Sequence, residues 1–280
     1  MSSIYEALSA ALRAERPAAL MEIIEGPDDR LGAKMLYLAA EGPGPEGEIL
    51  GSLGDPDLDR VVARDAEGEL ASGLTASRHY GLRGEARERD LTVFIESFAP
   101  PPRMIIFGAV DFTAALAKVG KVLGYRVTVC DARPVFATRS RFPMADEVVV
   151  SWPDRHLAEV GPSLGPRDAV CVLTHDPKFD VPAIVSALAT KAGYIGAMGS
   201  RKTHGNRLER LRDAGVDDAG LDRVMAPIGL DIGARTPEET AVSICAEIIA
   251  RRTGRDAPSL RDREGPIHRD GAELVSRQPA

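Results

Sequence analysis

The stretch "GAMGSRKTHGNR", residues 196–207, sets the basic side chains Arg201, Lys202 and His204 close behind Gly196, Gly199 and Ser200. Gly196 and Gly199 mark a turn leaving an apolar run, and Ser200 is an N-cap residue for the helix that follows. Cations are disfavoured at a helix N-terminus, whose free N–H groups carry a partial positive charge. Their presence predicts an anionic partner, a phosphate or carboxylate, held by Gly199, Ser200, Arg201, Lys202 and Thr203. Surface charge paired with acidic neighbours is the other reading. "GLDIGARTPEETA" offers a second anion site. Gly229 and Gly233 bend its loop, and Arg235 presents a guanidinium just before the N-cap Thr236 and its capping-box partner Glu239. In "THDPKFD", Thr174, His175 and Asp176 stand at a strand end. His175 is placed to orient a ligand or to move a proton; alternatively it and Asp176 only open a turn that Pro177 stiffens.

"IIFGAVDFTAALA", residues 105–117, has the layout of a dinucleotide-binding turn: apolar run, glycine, apolar-periodic helix. Only Gly108 of the pattern G-x-G-x-x-G is present, with Val110 and Thr113 where the other glycines belong. Asp131 follows 23 residues later, where nucleotide enzymes place an acid on the ribose hydroxyls. Val110 opposes that reading, because a β-branched side chain lies in the path of a pyrophosphate. Asp111 opposes it too, since its carboxylate would itself occupy the positive helix end. Gly108, Ala109, Asp111 and Asp131 are candidate contacts for a phosphorylated ligand; a turn serving only the fold is the alternative. No catalytic residue is assigned, and no metal ligand.

These groups need a scaffold that brings strand ends together. From residue 103 onward, short apolar runs alternate with helical patterns: "MIIFG", then 111–123; "RVTVCD"; "DEVVVS"; "DAVCVLTH", then 179–190; "AGYIGAMG", then 201–213; and a last helix at 237–251. Such alternation predicts an α/β fold, a Rossmann-like doubly wound parallel sheet over 103–253, whose ligands bind at the C-terminal edge of the strands. A smaller α+β domain, residues 1–99, precedes it. Its elements are a helix at 4–16, strands at 19–24, 33–39 and 48–53, a helix capped by Asp55 with Pro56 at its first position, and runs around 70–76 and 91–97. "APPPR" is the hinge between them. Residues 254–280 are expected to be irregular or disordered.

With 280 residues and a net charge of −7, the chain is expected to be soluble, with neither nucleic acid nor membrane as partner. The start lacks the pattern of a secretory signal, and no apolar run approaches the roughly 20 residues of a membrane span. The three cysteines, Cys130, Cys171 and Cys245, are widely spaced within apolar runs. They are expected to be buried core residues in a reducing cytoplasm.

Taken as a set, "FGAVDFTAAL", "LGYRVTVCDARPVFAT", "RFPMADEVVV", "VLTHDPKFD", "YIGAMGSRKTH" and "PIGLDIGARTPEETAVSICAEIIA" resemble successive blocks of the xanthine dehydrogenase accessory protein family (XdhC/CoxI) across residues 103–252. "GAKMLY", "GSLGDPDLD" and "VFIE" resemble its first domain, and "GPIH" fits its tail. The resemblance implies a cytoplasmic maturation factor without turnover of its own. Such a factor binds the molybdenum cofactor (molybdopterin or its dinucleotide form) and shields it while a sulfido ligand is installed. It then helps insert the cofactor into an apo molybdenum hydroxylase of the xanthine or carbon monoxide dehydrogenase type. A cysteine desulfurase partner and a homodimer are implied as well. Read from the residues alone, an NAD(P)-binding oxidoreductase or a nucleotide-sensing module remains the alternative. The chain departs from the family pattern twice. Asp57 stands where G-S-x-G-G-G-C has its cysteine, and the "GAGH" turn is "GAVD".

Overall fold

The computed structural model describes residues 3–40 and 47–265. It divides into two units: the chain up to Pro100 with the segment from Pro258, and Pro101–Ala257.

In the first unit, β1 (Ala18–Glu25) is central to an antiparallel sheet of order β3-β2-β1-β5-β4, with β2 at Lys34–Leu38, β3 at Glu48–Gly51, β4 at Ala76–Tyr80 and β5 at Leu91–Phe98. Strand alternation splits its apolar residues between two helices. Ala19, Met21 and Ile23 pack with Leu58, Val62, Ala66 and Leu70 of α2 (Pro56–Ser72). Ala18, Leu36 and Leu38 pack with Ala11 of α1 (Ile4–Arg13). The strand expected around 70–76 begins only at Ala76, and α2 runs on to Ser72. Leu70 continues the stripe of Val62 and Ala66 at i+4 spacing, and the helix stops at Gly73, whose φ of 65° is a left-handed C-cap.

The second unit holds six parallel strands: β6 (Arg103–Phe107), β7 (Arg126–Cys130), β8 (Glu147–Val149), β9 (Ala169–Val172), β10 (Tyr194–Ala197) and β11 (Val224–Met225). Their spatial order is β8-β7-β6-β9-β10-β11. Counted by strand succession this is 3-2-1-4-5-6, the order of a doubly wound dinucleotide-binding sheet. The helices are α3 (Asp111–Val122), α4 (Pro153–Val160), α5 (Pro177–Leu188), α6 (Arg201–Asp213), α7 (Asp218–Asp222) and α8 (Pro237–Arg252). β6 is buried on both faces, as a central parallel strand must be. Met104 and Ile106 pack with α3 and α8, while Ile105 and Phe107 pack with Leu157 of α4, Ile184 of α5, Leu211 of α6 and Leu221 of α7. Periodicity gives no sign of the short elements α4, α7 and β11; Pro153 opens α4 at its first position.

All three cysteines are free and buried. Burial pushes the thiols of Cys130 and Cys245 up to about 12, so neither is a thiolate at neutral pH. Among the described residues no helix is long and apolar enough to cross a membrane, and no group of three or more His, Cys, Asp and Glu is placed to hold a metal ion. The described part of the tail carries one short 3₁₀ turn, Leu260–Asp262. Residues 266–280, which hold most of "GPIH", lie outside the described residues, as does most of the turn "EGPGPEGE".

Candidate functional site

Because the six strands are parallel, every strand-to-helix turn of the second unit leaves the sheet at one edge. The chain departs in opposite directions from β6 and β9, so the crevice of a doubly wound sheet lies between their ends. There the turns touch. A Cβ built on Gly108 would lie 2.7 Å from Thr174 Cγ2 and 3.1 Å from its backbone N, and Gly108 has φ 106°. Only glycine allows both the close approach and that backbone conformation.

The first turn satisfies its own polar groups. The Gly108 N–H donates to the Cys130 carbonyl at 2.9 Å, and the Thr113 hydroxyl donates to the Gly108 carbonyl. Thr113, fully buried, thus occupies the third glycine's position with a hydrogen bond of its own. The Ala109 N–H donates to Asp131 at 2.8 Å, and the Ala109 carbonyl accepts from Arg141 at 3.1 Å. Asp111 is exposed at the start of α3, with an Arg141 nitrogen 3.8 Å from its carboxylate. The Arg141 guanidinium also lies over Phe136 and Phe142.

Asp131 is occupied in the same way. Its side chain is 3% exposed, and its oxygens accept from the Arg133 N–H, Nε and Nη2 at 2.8–2.9 Å besides the Ala109 N–H. Burial pushes this carboxyl up. The Arg133 guanidinium and the two backbone N–H groups outweigh burial and hold it below the ordinary range. An acid with a depressed folded pKa adds stability above its unfolded value near 4, and that stability is lost as pH falls through the folded value. Asp131→Asn should therefore cost about 1.5–3 kcal/mol at pH 7, with the gap to wild type closing below about pH 4. Urea unfolding at stepped pH measures it; a gap independent of pH would remove the ionic account.

The neighbouring turns are joined through a buried pair. The Thr174 hydroxyl donates to Asp180, and Arg207 Nη2 donates to Asp180 at 2.8 Å and to the Met198 carbonyl at 2.7 Å. The Arg207 and Asp180 side chains are 3% and 5% exposed. Burial pushes Asp180 above the ordinary carboxylate range, against the opposing pull of the Thr174 hydroxyl and Arg207. This chain of contacts ties the ends of β9 and β10, the first turn of α5 and the second turn of α6 into one structure.

At the start of α6, Ser200 is the N-cap, accepting from the Thr203 N–H at 3.1 Å. Arg201 and Lys202 are exposed. Beneath them, Arg207 Nη1 and His204 Nδ1 are buried with no hydrogen-bond partner. His175 and Asp176 are exposed after β9, and Asp176 is near enough to Arg133 to act on it electrostatically. Gly233, φ 74°, and Arg235 lie in the exposed loop after β11. The N–H groups of Arg235 and Thr236 donate to Glu239 at 2.7 and 3.0 Å. Among the described residues no hydrogen bond or ion pair joins Gly233 or the Arg235 side chain to the other turns.

Two family models match the chain: the XdhC Rossmann domain over residues 104–248 and the XdhC and CoxI family over 11–81. The chain belongs to the XdhC and CoxI family. Similar proteins include a probable xanthine dehydrogenase component of Bacillus subtilis (strain 168), 36% identical over 195 residues that cover 64% of this chain and 56% of that protein. The molybdenum cofactor insertion chaperone PaoD of Escherichia coli (strain K12) is 26% identical over 170 residues, covering 61% of this chain and 46% of that protein. The chain spans about half the length of the curated relatives it matches. In fold it resembles a crystal structure of a xanthine dehydrogenase from Bacillus halodurans, with a TM-score of 0.52 and 22% identity over 92% of this chain and 98% of that one.

In this member of the XdhC and CoxI family, Asp57 lies on the first turn of α2 and pairs with Arg83 at 2.8 Å. The position that the family resemblance gives to a cysteine is an ion pair here. Four residues at the sheet edge lie within the quoted motifs without being candidate site residues there: Asp180, Arg207, Arg133 and Arg141. The first two carry a readable signal: each is a charge on its helix's apolar stripe, Asp180 before Ala183, Ile184 and Ala187, and Arg207 four residues before Leu211. Arg133 and Arg141 sit in an irregular segment, where no period marks them.

Proposed function

We propose that the chain is a maturation factor that carries the molybdenum–pterin cofactor for a molybdenum hydroxylase of the xanthine dehydrogenase type. The observation that supports this reading most is the contrast between two turns at one sheet edge. The Gly108 turn has its polar groups engaged by Cys130, Thr113, Asp131 and Arg141. The Gly199 turn stands over two buried, unpartnered nitrogens and carries Arg201 and Lys202 outside. A cargo with a phosphate suits the second turn. A dinucleotide of the NAD(P) kind needs the first, where Asp131 is committed to Arg133 and Ala109. Similarity to PaoD and to the Bacillus subtilis protein supports the same reading.

The edge also exposes apolar side chains, Val135, Phe136, Val150 and Trp152. They suit transient contact with the apo-hydroxylase that receives the cargo. Sulfido installation with a cysteine desulfurase, a homodimeric state and a cytoplasmic location belong to the same proposal. The cargo is the molybdopterin or its dinucleotide; the turn recognises the phosphate common to both.

The test is direct. The protein is co-expressed with intact cofactor biosynthesis, purified, denatured and oxidised, and the supernatant is examined for pterin fluorescence. Bound pterin is expected, with Arg201→Ala/Lys202→Ala retaining it about threefold to thirtyfold more weakly. A pterin-free protein that binds NADH or NADPH with micromolar affinity by calorimetry would reverse the assignment.

A further inference from the structure

We infer that the turn Met198–Ser200 and the first two turns of α6 hold a single phosphate-type oxyanion, and that Arg207 and His204, rather than the exposed Arg201 and Lys202, are its principal side-chain ligands. This rests on the cargo reading for the source of the phosphate but not for the site itself.

Three independent observations converge. The first is the helix end. The N–H groups of Arg201 and Lys202 have no carbonyl within the helix to bond. Among the described α-helices, α6 is the one whose first turn holds no acidic residue. The second is the buried guanidinium. Arg207 is 2% exposed, its Nη2 is spent on Asp180 and Met198, and its Nη1 has no partner. A buried arginine donor left unmade is costly, and few are found in folded proteins. His204 Nδ1 is orphaned in the same way, one helical turn earlier on the same side. The third is proximity. Gly199 has φ 151°, and a Cβ there would sit 3.3 Å from Thr203 Cβ and 3.5 Å from Arg207 Nη2. The turn therefore lies directly against the guanidinium and against Thr203.

The charges favour an anion over a second cation or a neutral group. Asp180 already balances Arg207, so the remaining field comes from the helix end, Arg201, Lys202 and an imidazole that can take a proton. Burial and the neighbouring Arg207 hold His204 below its ordinary pKa, so the imidazole starts neutral. An oxyanion accepting from Arg207 Nη1 would favour the protonated ring and a hydrogen bond from Nδ1. One tetrahedral oxyanion offers enough acceptors for both nitrogens and the backbone N–H groups together.

Inorganic phosphate is the probe. The imidazole signals of the chain's five histidines are followed by NMR during a phosphate titration, His204 being assigned by its loss in His204→Gln. A saturable shift of His204 is expected with phosphate and not with chloride at equal ionic strength. Arg207→Lys should weaken phosphate binding about tenfold or more, and His204→Gln, which spares the buried ion pair, about threefold to tenfold. If Arg207→Lys fails to fold, His204→Gln alone decides. A His204 signal unmoved by phosphate, an equal response to chloride, or unchanged affinity in the variants overturns the site. The cargo arm is separate. Phosphate that binds with this sensitivity and releases pterin from the purified protein supports the site and gives its phosphate to the cargo. Phosphate that binds so but leaves pterin in place supports a site for free phosphate. Pterin retained by a protein that ignores phosphate overturns the site while leaving the cargo reading intact.

Discussion

Arg207→Met is expected to destabilise the second unit by about 3–5 kcal/mol, because it strips the counter-charge from a carboxylate that stays buried. At roughly 2–4 °C per kcal/mol for a unit of this size, the melting transition should fall by about 6–20 °C. Two contacts go with the guanidinium, the Asp180 pair and the donation to the Met198 carbonyl, while methionine keeps most of the packing of the stem. The sign of the pH dependence is fixed by Asp180. Burial already pushes that carboxyl up, and loss of Arg207 pushes it further. The variant is then least unstable where Asp180 can take a proton, and its deficit grows as pH rises through and above the carboxylate range. The double variant Arg207→Met/Asp180→Leu removes both charges and should recover most of the loss. About 1 kcal/mol each stays missing for the Thr174 hydroxyl and the Met198 carbonyl, which are left without partners. Calorimetry of the four proteins closes the cycle. A double variant no more stable than Arg207→Met would mean that packing, not charge, sets the cost.

The same pair shows what was legible in the sequence. The parallel sheet could be read because each strand is a short apolar run, and Gly108, Asp131, His175, Gly199 and Arg235 follow strand ends or precede a helix in positions that parallel topology sends to one edge. The short β11 and α7 could not be read, since two and five residues give no period to detect. Nor could the interior of the site. Thr113 looks like a missing glycine until its hydroxyl is seen on the Gly108 carbonyl, and Asp131 looks like a ribose ligand until Arg133 and Ala109 are seen to occupy it. Spacing along the chain marks where a group stands. It does not mark whether that group is already engaged, because engagement depends on how the turns fold. Thr113 meets Gly108 and Arg133 meets Asp131 within one turn, while Ala109 reaches Asp131 from another strand end. Asp180 and Arg207 are the exception, since a charge at a core-facing helix position calls for a partner of opposite sign.

Gly108→Ala should be the most damaging single-methyl change in the candidate site. At φ 106° an alanine costs about 1–3 kcal/mol in backbone strain. Its Cβ would meet the Thr174 methyl at 2.7 Å and the Thr174 N at 3.1 Å, an overpacking worth about 1–3 kcal/mol more. The two parts can be separated. Thr174→Ser deletes the methyl that the new Cβ strikes and keeps the hydroxyl that donates to Asp180. Alone it should cost about 1 kcal/mol; combined with Gly108→Ala it should cost nothing or restore stability, a coupling of about 1 kcal/mol or more by urea unfolding. Purely additive losses would show that the β6 and β9 turns do not bear on each other. Pterin retention then distinguishes the two ends of the edge. If cargo reaches from the Gly199 turn into the crevice beside β6, folded Gly108→Ala loses it along with the stability. If cargo is held at the α6 end alone, the folded variant retains pterin as wild type does, because Asp180 and Arg207 stay paired behind Thr174.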